Sequence, residues 1–378
     1  MAKPVPRQQF QLYWHTWQVP DPYAVIPSGS SGAFHRLPRE HARLDSLDLY
    51  AQVLERTGGP ISDTQRINGA LSNLRDSLVD VMSTTSTLHG WRAQALFEAI
   101  VASLGRVRLL KLEDSGDVFF EGDPLKLPDF RIVTSDGEQI LVEVKNFHQK
   151  QPREPYRIRR KDLEELQRYA HLVDVNSLKF GIYWSRWKFW SLTDSSLLKP
   201  DGRDHFFLSF PDAMMANEMG RIGDRTPGTE WPIGLVFYSD PAKPRHVNAD
   251  GDAHFTVARA EYVVAGRLVT APAEKLIVQR LMFYGGWPEK ASAEIIDDEV
   301  ISTSFLFSPE EPPSDQQFAL HRPLSSIYSA MFNEATMDEA GEITALRVDI
   351  DPGALAALIP DDYEGEALRV WRFHLQPG

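Results

Sequence analysis

The chain has 378 residues, of which 42% are hydrophobic and 25% are charged, a balance typical of a folded globular protein of two or three domains. It contains no cysteine, which excludes disulfide bridges, thiolate metal sites and cysteine nucleophiles, and fits a reducing compartment. The formal net charge of −13 argues against a protein that coats nucleic acid by charge alone, so a nucleic-acid enzyme of this composition needs locally concentrated positive charge.

Targeting segments are not predicted. The first residues carry no apolar run of the length found in signal peptides. The apolar stretch 96–104 is interrupted by Glu98, and no window approaches the roughly 20 consecutive apolar residues of a membrane span. We therefore expect a cytoplasmic protein without a membrane partner.

Residues 1–85 are predicted to form a mostly helical N-terminal extension. Its first part, 1–32, is rich in aromatic residues and proline and ends in a flexible Ser- and Gly-rich stretch. Helical patterns follow at about 45–56 and 63–82, because apolar residues recur there at helical spacing.

Residues 86–195 are predicted to form a catalytic module with elements in the order α-β-β-β-α-β. Its first helix, at about 89–104, ends at Gly105. Strand patterns follow at 107–112, 118–120, 129–134 and 139–147, then a helix at 161–173 and a strand at 179–192. The remainder, 196–378, mixes strands and helices, and leaves three roles open: specificity, dimerisation and sensing.

The segment 126–147 is predicted to be a β-hairpin with a charged face. In its second strand Glu143 and Lys145 share one face and the intervening valines the other, because side chains alternate along a strand. A three-residue loop at 135–137 with a left-handed glycine places Asp129 opposite Glu143, whereas a two-residue loop places Asp129 among the valines. The apolar pattern favours the first register, which brings the two carboxylates and the lysine together.

This cluster predicts a metal site. Two carboxylates held close repel each other and lose hydration unless a positive group compensates, and a divalent cation does so. Mg²⁺, or Mn²⁺ in its place, prefers carboxylate and carbonyl oxygens, so the expected ligands are Asp129, Glu143 and the backbone of Val144. Lys145 would orient or help to deprotonate a water molecule and stabilise charge in the transition state.

Residues 86–195 resemble the PD-(D/E)XK nuclease superfamily, which includes restriction endonucleases and archaeal Holliday-junction resolvases. Two half-motifs carry the resemblance: Pro128-Asp129 and, with its acid 14 residues after that aspartate, Glu143-Val144-Lys145. The resemblance implies an α/β (α+β) fold with a restriction-endonuclease-like αβββαβ core, and metal-dependent hydrolysis of phosphodiester bonds. Host defence or DNA processing is the biological role that it implies.

The resemblance also implies residues on the two flanking helices. Family members often carry a glutamate on the helix before the hairpin, and Glu98 lies where that residue would be. Many carry a glutamine or tyrosine on the helix after the motif, for which Gln167 and Tyr169 are candidates.

Positive charge is concentrated directly after the predicted active strand. The segment 145–161 carries seven basic residues against one acid, Glu154, and is therefore near +6 in a chain of −13. Phosphate contacts of this kind position a nucleic acid without reading its sequence, although a charge run is more often a solvated loop. The candidate nucleic-acid contacts are Lys150, Arg153, Arg157, Arg159, Arg160, Lys161, Gln167 and Tyr169.

Tryptophans also mark the predicted strand 179–192. Alternation places Trp184 and Trp190 on one face together with Arg186 and Lys188, a mixture suited to stacking on bases. Burial in the core is the favoured interpretation, because aromatic side chains dominate cores.

The sequence therefore predicts a metal-dependent endonuclease acting on DNA. Two alternatives stay open: a catalytically inactive nucleic-acid-binding or scaffold protein, and a ribonuclease that uses the same site. Paired nicks across a duplex require two active sites, so a homodimer is the expected assembly.

Overall fold

The computed structural model describes residues 34, 46–54, 60–115, 118–202, 204–248, 252–375 and 377. The aromatic and Pro-rich stretch predicted at 1–32 lies outside these residues. The helices are α1 (Ser46–Val53), α2 (Thr64–Ser83), α3 (Thr85–Leu104), α4 (Arg160–Leu172), α5 (Phe210–Met215), α6 (Pro272–Tyr284), α7 (Leu324–Thr336) and α8 (Ala354–Leu358). None of these helices is both long and apolar enough to cross a membrane.

Strands are distributed from the middle of the chain to its end. They are β1 (Val107–Leu112), β2 (Phe130–Thr134), β3 (Gln139–Phe147), β4 (Tyr156–Arg159), β5 (Leu178–Trp184), β6 (Phe189–Asp194), β7 (Lys199–Asp201), β8 (His205–Leu208), β9 (Thr226–Thr229), β10 (Ile233–Ser239), β11 (His246–Val247), β12 (Ala253–His254), β13 (Val257–Val264), β14 (Arg267–Val269), β15 (Glu289–Ile296), β16 (Glu299–Phe307), β17 (Ala319–Leu320) and β18 (Val370–Phe373). The fold is therefore a mixed α+β arrangement with several sheets.

The five-stranded sheet of the middle third has the order β1-β2-β3-β5-β6. Its neighbours are antiparallel except for β3 and β5, which run parallel. Parallel neighbours need a crossover connection, and α4 provides it. The chain order in this part of the molecule is α3-β1-β2-β3-α4-β5, with the short β4 inserted before α4.

Helices cover both faces of this sheet, which explains the near-continuous burial of β3. On one face Phe97 and Ile100 of α3 pack in a cluster with Val142. On the other face Leu166 of α4 packs in a second cluster with Leu141. A strand covered on both sides can keep a polar side chain only where that side chain finds partners.

The hairpin formed by β2 and β3 has the predicted register. Phe130 pairs with Val142 and Ile132 pairs with Ile140, so the same register sets Asp129 opposite Glu143. The loop closes through a hydrogen bond from the Gly137 amide to the Thr134 carbonyl, and Gly137 has the left-handed φ of 95° that the three-residue loop requires. The prediction of this register is confirmed.

Two strand predictions were wrong. Residues 118–120 form an irregular loop in which the Phe119 side chain is 93% exposed, so their apolar character does not reflect pairing. The stretch 179–192 is a hairpin, because β5 ends at Trp184 and the chain turns before β6. The turn residues 185–188 include no glycine, proline or asparagine to signal it.

The hairpin places its two tryptophans in different clusters. Trp184 lies in the cluster beneath α4, and Trp190 lies in the cluster beneath α3. Both side chains are fully buried. The core interpretation of these residues is therefore confirmed, and the single face predicted for them was wrong.

The cluster beneath α3 continues into the C-terminal region. It includes Ile277 of α6 and Ile327 of α7 together with Phe97 and Trp190. Polar contacts reinforce this packing, because Arg92 of α3 donates to the Thr336 hydroxyl of α7 at 2.6 Å. A second five-stranded antiparallel sheet, ordered β14-β13-β10-β16-β15, completes this part of the molecule.

Candidate active site

Asp129 lies immediately before β2, at the end of the central sheet, and is only 5% exposed. Its Oδ2 accepts a hydrogen bond from the Val144 amide of β3 at 2.5 Å. Its Oδ1 accepts a hydrogen bond from the side-chain amide of Gln94 on α3. The carboxylate is therefore fixed between the central strand and the preceding helix.

Glu143 lies in the middle of β3 and is 1% exposed. Its Oε1 accepts hydrogen bonds from Lys145 Nζ at 2.5 Å and from Lys126 Nζ at 2.9 Å. Its Oε2 is buried and has no hydrogen-bond partner. A buried carboxylate oxygen without a partner is costly, and a bound cation would satisfy it.

The two carboxylates influence each other electrostatically. Burial raises the pKa of Asp129 to about 7, and the charge of Glu143 adds to this effect. The pKa of Asp114, in the loop after β1, is also raised, first by desolvation and then by Glu143. The site thus gathers acidic groups whose joint ionisation requires positive charge nearby.

These residues fit a hard divalent cation. The Val144 amide points to the edge of β3 where Asp129 lies, and the carbonyl of a strand residue points to the same edge as its amide. Mg²⁺ typically takes one or two carboxylates and completes its coordination with water and phosphate oxygens. In the described part of the chain no group of three or more Asp, Glu or His side chains is placed to hold a metal, so Asp129 and Glu143 are the carboxylates available here.

The site opens to solvent on its lysine side. The Lys145 side chain is 30% exposed and that of Lys126 is 40% exposed, whereas the Glu143 side chain between them is 2% exposed. A phosphate that approaches from solvent therefore meets ammonium groups before it meets the carboxylates.

Glu98 does not contact these carboxylates. Its nearest charged partner is Arg347, at 4.0 Å, and Gln94, one helical turn earlier, is the residue of α3 that contacts Asp129. Residues four apart lie on the same helix face, so Gln94 and Glu98 share a face of α3, and Gln94 is the residue that reaches the carboxylate. Gln94 was missed because the sequence gives no reason to prefer one turn over the next.

The two candidates on α4 lie elsewhere. The Tyr169 hydroxyl donates to Glu113 Oε1 at 2.5 Å, and Arg131 pairs with the same carboxylate at 2.6 Å. Gln167 is exposed and lines a surface depression together with Glu121. Among the contacts of the described residues, neither side chain reaches Asp129 or Glu143.

The basic run is exposed, and most of it is paired with acids. The pairs are Arg157 with Asp201 at 2.7 Å, Arg159 with Asp162 at 3.8 Å, Arg160 with Glu164 at 4.0 Å and Lys161 with Glu165 at 3.8 Å. Lys150 and Arg153 are exposed and form no ion pair within the described ranges. Exposed pairs contribute little free energy, so these cations can exchange an acid for a phosphate at small cost.

Lys126 was also missed by the sequence analysis. It belongs to the irregular loop between β1 and β2, three residues before Asp129, where no periodic pattern relates its side chain to Glu143. Its position next to the Pro128-Asp129 half-motif was the only available signal.

No protein-family model matches the chain, and a search of curated proteins finds no match either. Among solved structures, the chain is similar to Hjc, a Holliday junction resolvase from Archaeoglobus fulgidus, at 15% sequence identity and a TM-score of 0.25. That match covers 36% of this chain and 96% of the resolvase. We therefore base the functional proposal on the residues of the site.

Proposed function

We propose that this protein is a metal-dependent nuclease that hydrolyses phosphodiester bonds, with DNA as its substrate. The observation that carries the proposal is the convergence of Asp129, Glu143 and Lys145 at the end of the central sheet, with Glu143 Oε2 buried and unpaired. Burial of two opposed carboxylates is unfavourable for folding, and a catalytic metal site gives a reason for it.

In the proposed reaction, Asp129, Glu143 and the Val144 carbonyl would hold Mg²⁺ or Mn²⁺. When bound, such an ion supplies a nucleophilic water of lowered pKa and offsets charge on the phosphoryl oxygens. The Lys145 ammonium has three donors, of which one is used on Glu143, so it can also orient the attacking water. Gln94 fixes the Asp129 carboxylate in position for its role as a ligand.

We further propose that α3-β1-β2-β3-α4-β5, within residues 86–195, is a restriction-endonuclease-like core. The hairpin register, the crossover by α4, and the two half-motifs, one directly before β2 and one within β3, support this assignment. Residues 1–85 would be an extension, and 196–378 a region for specificity, dimerisation or sensing. A homodimer would supply the two sites that paired nicks in a duplex require.

The test is cleavage of plasmid DNA and of labelled oligonucleotides with Mg²⁺, with Mn²⁺, and after chelation by EDTA. We expect cleavage only with metal, and loss of roughly 10²- to 10³-fold in rate for Lys145→Met, as for removal of one donor to a developing oxyanion. The matched control is Lys111→Met, because Lys111 is a 63% exposed lysine on β1 that pairs with Glu113 and does not contact Glu143.

Each outcome decides between the proposal and its alternatives. Equal cleavage by the wild type and Lys145→Met would refute the catalytic role of Lys145. Salt-sensitive DNA binding without turnover in either metal would favour an inactive nucleic-acid-binding protein. Cleavage of RNA oligonucleotides of the same sequence, without cleavage of the DNA, would identify a ribonuclease.

A further inference from the structure

Two lysines share one oxygen of Glu143, and only one of them belongs to the half-motif. Lys145 Nζ and Lys126 Nζ donate to the same atom, Oε1, at 2.5 Å and 2.9 Å. The other oxygen of the same carboxylate, Oε2, is buried and has no partner. The two ammonium groups therefore crowd one oxygen, and one of them is available to a second anion.

Lys126 is held in place by its surroundings. Its backbone amide donates to the Glu165 carbonyl of α4 at 3.2 Å. The neighbouring Leu125 and Leu127 pack against the cluster beneath α4. The packing of the residue before and the residue after Lys126 thus holds this lysine beside Glu143. Such support is expected of a side chain with a defined role.

The charges of the site show what Lys126 could bind. Lys126 Nζ lies 2.9 Å from Glu143 Oε1, so a lysine ammonium stands at the edge of the carboxylate cluster. A divalent cation held by Asp129 and Glu143 would repel the Lys126 ammonium and weaken its hydrogen bond to Glu143 Oε1. Its side chain is 40% exposed, on the side from which a phosphate arrives.

We propose that Lys126 is a second catalytic ammonium, which contacts a non-bridging oxygen of the scissile phosphate while Lys145 serves the attacking water. This assignment rests on the proposed nuclease function and adds a phosphate contact from outside the half-motifs. In metal-free protein, Lys126 instead occupies Glu143 Oε1 and competes with the metal for that carboxylate.

The activity test compares Lys126→Met and Lys126→Arg with Lys111→Met, which removes an exposed lysine from β1. We expect Lys126→Met to lower kcat by roughly 10²-fold, as for the loss of one donor to a developing oxyanion, with partial rescue by Lys126→Arg. Thermal unfolding of each variant shows whether the fold is kept.

A phosphorothioate substrate separates a phosphate contact from a structural role. Sulfur at the non-bridging position that Lys126 contacts should slow the wild type, while Lys126→Met should cleave the oxygen and sulfur substrates at similar rates. A folded Lys126→Met enzyme with wild-type kcat, or with an undiminished sulfur effect at both non-bridging positions, would overturn the proposal.

Calorimetry with Mn²⁺ alone gives a readout that does not depend on cleavage. We expect Lys126→Met to bind Mn²⁺ more tightly than the wild type, because it removes a positive charge that competes with the metal for the Glu143 carboxylate. Unchanged Mn²⁺ affinity would refute the competition. Absence of cleavage by the wild type, with tighter Mn²⁺ binding by the variant, would refute the nuclease function and leave Lys126 as a counter-ion of the metal site.

Discussion

The hairpin 126–147 and the basic run 150–161 are neighbours in the sequence, and both stand out by their charge. In the hairpin, Asp129 and Glu143 are buried, and each accepts two hydrogen bonds. In the basic run, side chains are exposed and pair with acids nearby, mostly three or four residues along the chain. A charged residue that the strand pattern places in the core is therefore a good candidate for a functional site. A charged residue on the surface is a poor one, because solvent screens its charge.

The largest effect that tests this comparison is expected for Glu143→Gln. This change keeps the size of the side chain but removes the charge that the metal requires, so we expect cleavage to fall by at least about 10³-fold. Mg²⁺ binding measured by calorimetry should be lost together with activity. Substantial cleavage by a folded Glu143→Gln protein would show that the buried carboxylate is structural.

An intermediate effect is expected from the pH dependence of Asp129. Burial raises its pKa to about 7, so the folded chain holds this proton more tightly than the unfolded chain does. The resulting stabilisation is complete below the ordinary pKa of about 4 and is lost as the pH rises to about 7.

Thermal unfolding of metal-free protein measures this loss. We expect the melting temperature of the wild type to fall relative to that of Asp129→Asn over that interval, because the variant has no proton to lose. Mg²⁺ affinity of the wild type should rise over the same interval, since the metal binds the charged carboxylate. A difference in melting temperature that does not change with pH would contradict the raised pKa.

The smallest effect is expected in the basic run. Replacing both Lys150 and Arg153 with Gln removes the two cations of this run that form no ion pair within the described residues. We expect a few-fold loss of DNA affinity and a salt slope reduced by about two, with kcat retained. The paired residues Arg157 and Arg159 should give a smaller change when replaced together.

Fluorescence anisotropy with a labelled duplex at several salt concentrations measures both slopes. Equal slopes for the two double variants would show that acid pairing does not decide which cations reach the phosphates. No change in either slope would place the nucleic acid on another surface.

The sequence predicted the structure best where apolar residues recur with a regular period. Alternation of apolar residues in β2 and β3, together with the single glycine of their loop, favours the register that the structure has. That register predicted the convergence of Asp129 and Glu143.

Features that depend on tertiary contacts were not predictable in this way. Lys126 lies on an irregular loop, so nothing in its spacing relates it to Glu143. Which residue of α3 reaches Asp129, Gln94 or Glu98, depends on how far the helix is shifted along its axis. The packing of α3 on the sheet determines that shift. The turn at 185–188 contains no glycine, proline or asparagine that would predict a turn. It forms where β5 and β6 pair as antiparallel neighbours.

The packing of α3 has a consequence for how the protein can be divided. Gln94 of this helix holds Asp129, while Arg92, two residues earlier, donates to Thr336 and Asn333 of α7. Trp190 of the central sheet donates to Ser329 of the same helix. A fragment ending at residue 195 would expose these groups and the apolar surface beneath them, so the half-motifs need the C-terminal half of the chain as scaffolding.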